Sequence, residues 1–209
     1  MAYEDCYNQD KYYSCVKFID MMKEKIKKAG ILKRYENITF DKIKRDGIPN
    51  KISKQYDEVM EYKNNLNAHV KKGEGLILKG SVGTMKTTFA IALLVEWLRE
   101  NNGFFVSMPS LLDDIFTYKA VSSNQWVDFE NKIKKSTLLV IDDMGAEHTE
   151  GWVLTKVDSI ISERYNRQLP TIITTNLTSD QLKKTYAERI IDRLKQTSTI
   201  INFNFDSLR

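Results

Sequence analysis

The run Gly80-Ser81-Val82-Gly83-Thr84-Met85-Lys86-Thr87-Thr88 constrains the fold more than any other, because it directly follows the apolar run Leu76 to Leu78 and opens an apolar helical pattern. A glycine-rich turn between strand and helix aims backbone N–H groups and the positive end of the helix dipole at one point, which suits a polyphosphate. Lys86 is placed to reach the outer phosphates, and Thr87 to put its hydroxyl on Mg²⁺. The spacing follows GxxxxGK[ST] except that Met85 stands where the second glycine is expected. Glycine permits backbone geometry that a side chain resists, so methionine is expected to weaken nucleotide affinity or slow turnover. A working nucleotide site and a degenerate loop kept for structure are the two readings.

From Leu76 onward short apolar runs alternate with helical patterns, giving strands near Leu76 to Leu78, Phe104 to Ser107, Leu138 to Asp142, Thr171 to Thr175 and Ile200 to Phe205. Such alternation implies an α/β fold with a parallel, helix-covered sheet. Leu138 to Ile141 has no polar residue, as expected of a strand buried on both faces. Thr87 to Glu100 and the stretch holding Val153, Val157, Ile160, Ile161 and Tyr165 read as core-packed helices. Ahead of the sheet, Tyr12, Cys15, Phe18, Ile19, Met22 and Ile26 form the stripe of an amphipathic helix, and a further helix is expected over Lys54 to Val70. An apolar stripe of that length packs on its own domain or docks a partner.

Leu138-Leu139-Val140-Ile141-Asp142-Asp143 ends a hydrophobic strand in two carboxylates and resembles a Walker B element. Asp142 is then the residue that holds Mg²⁺, and Asp143 the base that orients the attacking water. One further strand, near Phe104, separates the two motifs along the chain. The simplest nucleotide kinases set the two motif strands side by side, whereas ATPases of the additional-strand class insert one between them. Thr174-Thr175-Asn176 at the end of the next strand resembles sensor 1, with Asn176 close to the γ-phosphate; alternatively Asn176 caps the helix that follows.

Nine glycines and three prolines in 209 residues, with no low-complexity tract or repeat, favour one main domain. The net charge of +4 is mild, but lysines crowd at 23, 25, 27 and 28 and again at 132, 134 and 135, which permits nucleic-acid contact and equally fits a solvated face. No apolar run is long enough to span a bilayer, and Met1 to Asp10 lacks a signal peptide's hydrophobic stretch, so a cytoplasmic protein without membrane contact is expected. Cys6 and Cys15 support neither a zinc site nor a redox pair, and Cys15 is expected to pack as a small hydrophobe.

Gly30-Ile31-Leu32-Lys33-Arg34-Tyr35, Ile38-Thr39-Phe40, Asp142 to Glu147, Ile173 to Leu177, Glu188-Arg189-Ile190-Ile191-Asp192-Arg193-Leu194 and Asn202 to Arg209 together resemble the DnaC/DnaI/IstB-like AAA+ ATPases, over roughly residues 30–209. The resemblance implies a P-loop NTPase of the AAA+, additional-strand class. It carries a five-stranded parallel sheet flanked by helices, a helical extension over residues 1–29, an ATPase domain over 30–209 and no separate lid. It implies a slow, assembly-dependent ATPase that loads a replicative DNA helicase during DNA replication, with ATP and Mg²⁺ as cofactors. Single-stranded DNA, the helicase and further copies of the chain are its implied partners. Lys86, Asp143, Asn176 and Arg193 become the catalytic set, Thr87 and Asp142 the metal ligands, and Gly80 to Thr88 with Arg209 the nucleotide contacts. Arg193 matches the arginine finger that reaches a neighbouring protomer's site, with Arg189 the competing candidate and a surface ion pair the bland alternative for either; Arg209 matches sensor 2. The segment from Pro109 to Lys135 matches the single-stranded DNA path, where Tyr118, Trp126, Lys132 and Lys134 are candidates and Trp126 serves equally as core. The N-terminal extension is shorter than the helicase-binding domains loaders usually carry. A transposition helper ATPase shares every motif, a nucleotide-gated adaptor that binds without hydrolysing fits Met85, and a small-molecule P-loop kinase is a third reading, disfavoured by the inserted strand and the missing lid.

Overall fold

The structure, a computed structural model, describes residues 9–121, 123–145 and 151–208. Ala146, Glu147, Arg209 and Cys6 lie outside these. Five parallel strands, β1 (Gly75–Gly80), β2 (Gly103–Ser107), β3 (Leu138–Asp142), β4 (Thr171–Thr175) and β5 (Ser198–Phe203), form one sheet in the order β2-β3-β4-β1-β5. The expected class is therefore present. The strand inserted between the loop strand β1 and the acid-bearing β3 is β4, however, while the strand near Phe104 that separates them in sequence is β2, at the far edge. A strand earlier in the chain need not lie between its neighbours when each connection crosses over through a helix.

Alternate side chains of each strand feed two separate cores, as the two-residue period of a pleated strand requires. Leu76, Leu78, Phe105, Leu138, Val140, Ile172, Ile201 and Phe203 join one face, and Ile77, Val106, Leu139, Ile141 and Ile173 the other. On the first face lie α1 (Gln9–Lys28), α2 (Phe40–Asp46), α3 (Ser53–Asn64), α4 (Leu66–Lys72) and α5 (Lys86–Leu98). The second is covered by α6 (Met108–Val121), α7 (Ser123–Lys135), α8 (Gly151–Asn166), α9 (Ser179–Thr185) and α10 (Glu188–Thr197). Phe89, Ala90, Ile91, Ala92, Leu93, Leu94 and Val95 are all buried, so α5 is apolar around its whole circumference and runs through the interior.

Beyond shifts of a residue or two at other element ends, three features depart from the sequence expectation. The helix expected over Lys54 to Val70 is two helices, broken at Asn65, whose side chain donates to the Glu61 carbonyl at 3.1 Å and so competes with the backbone ladder. β5 starts and stops two residues early, because it pairs residue for residue with β1 from Gly75↔Ser198 to Gly80↔Phe203. Among the described side chains of α1, Met22 and Ile26 at its C-terminal end pack into the core. Ile26 and Ala29 are buried, whereas Val16, Phe18, Ile19 and Met21 are 37 to 51% exposed. Lys25 fixes this end by donating to the Leu98 and Arg99 carbonyls at 2.8 and 3.2 Å, capping α5. The Phe105 N–H then donates to the Ala29 carbonyl at 2.7 Å, and a side chain at Gly30 would collide with the Phe105 carbonyl, so glycine lets the chain cross the edge of β2 closely. Among the described residues no helix is long and apolar enough to cross a membrane.

Candidate functional site

The ends of β1, β3 and β4 bring the loop, the acids and Asn176 to one edge of the sheet. Gly80 leaves β1 at φ +148°, where a Cβ would collide with the Phe203 carbonyl oxygen, so only glycine turns the chain there. The loop is tied from outside: the Ser81 N–H donates to the Phe203 carbonyl at 3.3 Å, and the Leu208 N–H to the Gly83 carbonyl at 3.1 Å. Inside, Thr84 is buried and its hydroxyl donates to the Ser81 carbonyl at 2.8 Å. Val82 stands at the exposed tip, and Thr88 belongs to the first turn of α5. Met85 adopts φ +69° and ψ +11°, the left-handed conformation that its glycine equivalent takes freely. The loop thus keeps the geometry its motif demands and places the strain on methionine, whose side chain packs against the core.

Lys86 is buried, and its ammonium donates to the Gly80 and Ser81 carbonyls at 2.8 and 2.6 Å and to Thr84 Oγ1 at 3.3 Å. Burial pushes its pKa down, while Asp143 and Asp142 pull it back up. A cation held only by neutral oxygens is poised to exchange them for an anion. Asp142 is buried, and burial raises its carboxyl pKa above the usual range; hydrogen bonds from Thr174 and Thr87 act against this. Both hydroxyls donate to Asp142 Oδ1, each at 2.7 Å. Because the Thr87 proton goes to Asp142, the lone pairs of Thr87 Oγ1 stay free to face a cation, and a hydroxyl beside a carboxylate is the hard-oxygen donor set Mg²⁺ prefers. Thr87 and Asp142 therefore fit a metal. Asn176 Nδ2 donates to Asp143 Oδ1 at 3.3 Å, so Asn176 faces the acid pair across the ends of β3 and β4. The bland alternative of a cap falls to Thr178, which caps α9 in a capping box with Gln181.

Two features of the site escaped sequence reasoning. Arg34 stacks 4.3 Å above the Tyr35 ring, and the charges of Asp142 and Asp143 help burial to raise the Tyr35 phenol pKa while Arg34 lowers it, which places this pair near the acids. Thr174 supplies the second hydroxyl on Asp142. Nothing in the sequence around Arg34 and Tyr35 signals this role, and only folding brings them near the acids.

Arg193 and Arg189 are elsewhere. Both are held by Asp158 on α8. Arg189 grips it through two bonds at 2.9 and 2.5 Å, and Arg193 lies 3.6 Å from it and donates to Ser162. Arg193 also lines a cavity of about 380 Å³ with Gly73, Thr171 and Ser198, at the starts of β1, β4 and β5, the opposite end of the sheet from the phosphate loop. On the proposed DNA path Lys134 is tied to Glu130 at 2.8 Å and Lys132 is exposed, while the side chains of Tyr118 and Trp126 lie outside the described ones. Lys132 and Lys135 share a groove with Lys25 and Lys28, so the two lysine runs meet in space.

Residues 51–209 match the family described as IstB-like ATP binding protein. The chain belongs to the IstB-like ATP-binding proteins. Within reach of this family, the chain is 25% identical over 195 residues to the replicative helicase loader DnaC of Escherichia coli K12, covering 90% of this chain and 76% of that one. It is 32% identical over 123 residues to the replicative helicase loader DnaI of Bacillus subtilis 168, covering 56% of this chain and 39% of that one. A crystal structure of the DnaC helicase loader superposes with a TM-score of 0.69 at 24% identity, over 82% of this chain and 99% of that one, and shares the fold.

Proposed function

We propose that this IstB-like chain is an ATP-dependent helicase loader that binds Mg²⁺-ATP and single-stranded DNA and helps place a replicative ring helicase on DNA. The observation that carries the nucleotide part is the Thr87 to Asp142 hydrogen bond at 2.7 Å, which joins the loop helix to the acid strand. The names of the DnaC and DnaI relatives support the loader part.

In this reading the N–H groups of Gly80 to Thr88 wrap the phosphates, and the Lys86 ammonium leaves the Gly80 and Ser81 carbonyls for the outer phosphate oxygens. Thr87 and Asp142 hold the Mg²⁺, which supplies charge neutralisation to the outer phosphates. Asp143 accepts the proton of the attacking water, and Asn176, already donating to Asp143, orients that water and senses the γ-phosphate. Arg209, which lies outside the described residues, is the sensor 2 residue of this reading. Arg193 exchanges Asp158 for the nucleotide of the next copy, so hydrolysis waits for a homo-oligomer; Arg189, held by the same Asp158, is the alternative finger. The ATPase domain spans residues 30–209, and the extension over 1–29 offers the exposed face of α1 to the helicase.

Co-purification of the full chain with a replicative ring helicase and, separately, with a transposase, each with ATP present, tests the loader reading. Capture of the helicase alone supports it; capture of the transposase alone replaces it with a transposition helper. Steady-state turnover that disappears in Lys86→Ala excludes a non-hydrolysing adaptor.

A further inference from the structure

Thr174 is buried at the C-terminal end of β4, in register with Leu78 of β1. Its single hydroxyl is used twice. It donates to Asp142 Oδ1 at 2.7 Å and accepts from the Asp143 N–H at 2.9 Å. Both bonds form together only when the proton points at the carboxylate and a lone pair at the amide. Asp143 lies at φ +55°, a backbone conformation that a residue with a side chain keeps only where its surroundings hold it. The neighbouring hydroxyls do something else: Thr175 donates to the Met144 carbonyl and accepts from the Leu177 N–H, securing the loop behind the acids, and Thr87 reaches Asp142 alone.

We propose that Thr174 is a positioning residue that couples Asp142 to Asp143, so that one hydroxyl aims the carboxylate on the metal side and fixes the left-handed turn that presents the carboxylate on the water side. The inference rests on the nucleotide-site reading and deepens it, because β4 then holds the acids as well as carrying Asn176. A bland role, filling the space between β3 and β1, would need only the shape of the side chain.

Two variants of the full chain separate these. Thr174→Val keeps the shape and removes the hydroxyl, and Thr174→Ser keeps the hydroxyl and removes a methyl group. In protein free of nucleotide and magnesium, the Asp143 amide is expected to exchange its hydrogen about tenfold faster in Thr174→Val, with Ile77 in β1 unchanged and Thr174→Ser close to wild type. The Mg²⁺ concentration giving half-maximal uptake of a fluorescent ATP analogue is expected to rise about tenfold or more in Thr174→Val and to recover in Thr174→Ser. Thr174→Ala, a second side chain without the hydroxyl, is expected to follow Thr174→Val and takes its place if that variant fails to fold. Wild-type exchange and wild-type Mg²⁺ response in Thr174→Val overturn the proposal. So does equal impairment in Thr174→Ser, which assigns the effect to packing. A wild-type chain that takes up no nucleotide sinks the nucleotide reading instead, and the exchange measurement still decides whether Thr174 couples the acids.

Discussion

Met85 shows how one residue can satisfy a motif it violates. At φ +69° it carries left-handed strain of about 1–2 kcal/mol, and its side chain recovers part of that by packing against the core. Met85→Gly relieves the strain but loses the packing and adds unfolded-state entropy, so its melting temperature is expected to stay within about 3 °C of wild type. Met85→Ile, a β-branched residue in the same conformation, is expected to be clearly destabilised, which thermal unfolding of both variants checks. Arg164 is the opposite case, a residue that no motif points to. Fully buried, with its pKa pushed down to about 9 by burial, it donates to the Ile133, Ser136 and Pro170 carbonyls and to Thr171 Oγ1. It ties the end of α7 and the end of α8 to the start of β4. Arg164→Met leaves these acceptors unpaired and is expected to lower stability by about 2–4 kcal/mol in denaturant titration. Arg164→Lys, without the planar fork, is expected to recover only part of this.

At the scale of elements, the strands were legible because each is a short apolar run with turns on either side, and β3 and β4 begin and end where the sequence reading placed them. The phosphate loop, the acid pair and Asn176 were legible because each lies at a strand end, where parallel topology collects them on one edge. Sheet order was not, since β4 and β2 are both short, partly apolar runs and only crossover packing decides which lies beside β1. Nor was the break at Asn65, where a local side-chain bond overrides a continuous helical pattern. α1 was half legible: the pattern gives the helix, but it does not say that Ile26 is buried while Phe18 and Ile19 stay about half exposed. If the uncovered end serves the helicase, the double variant Phe18→Asp, Ile19→Asp is expected to keep the wild-type melting temperature and nucleotide uptake. Helicase capture should fall at least about tenfold, because two exposed apolar anchors are lost. Undiminished capture would move the contact off α1.

For the whole molecule, the separation between the phosphate loop and the Asp158 cluster makes one copy incomplete in the proposed mechanism. Arg193 faces the starts of the strands and Lys86 their ends. Arg193→Ala is therefore expected to bind nucleotide as wild type does while turnover falls about 100-fold or more. Mixing it with the Lys86→Ala chain is expected to restore measurable turnover, because an intact loop then meets an intact arginine from the neighbouring copy. Loss of binding in Arg193→Ala would put the arginine in its own copy's site. In the proposed mechanism the turn around Lys86 holds a magnesium-bound triphosphate with methionine at the glycine position. Titration of the wild-type chain and Lys86→Ala with a fluorescent ATP analogue, at saturating Mg²⁺, measures this directly. Saturable uptake by the wild type, weakened at least about tenfold by the substitution, is the predicted result; no uptake by the wild type, or equal uptake by both, would contradict it.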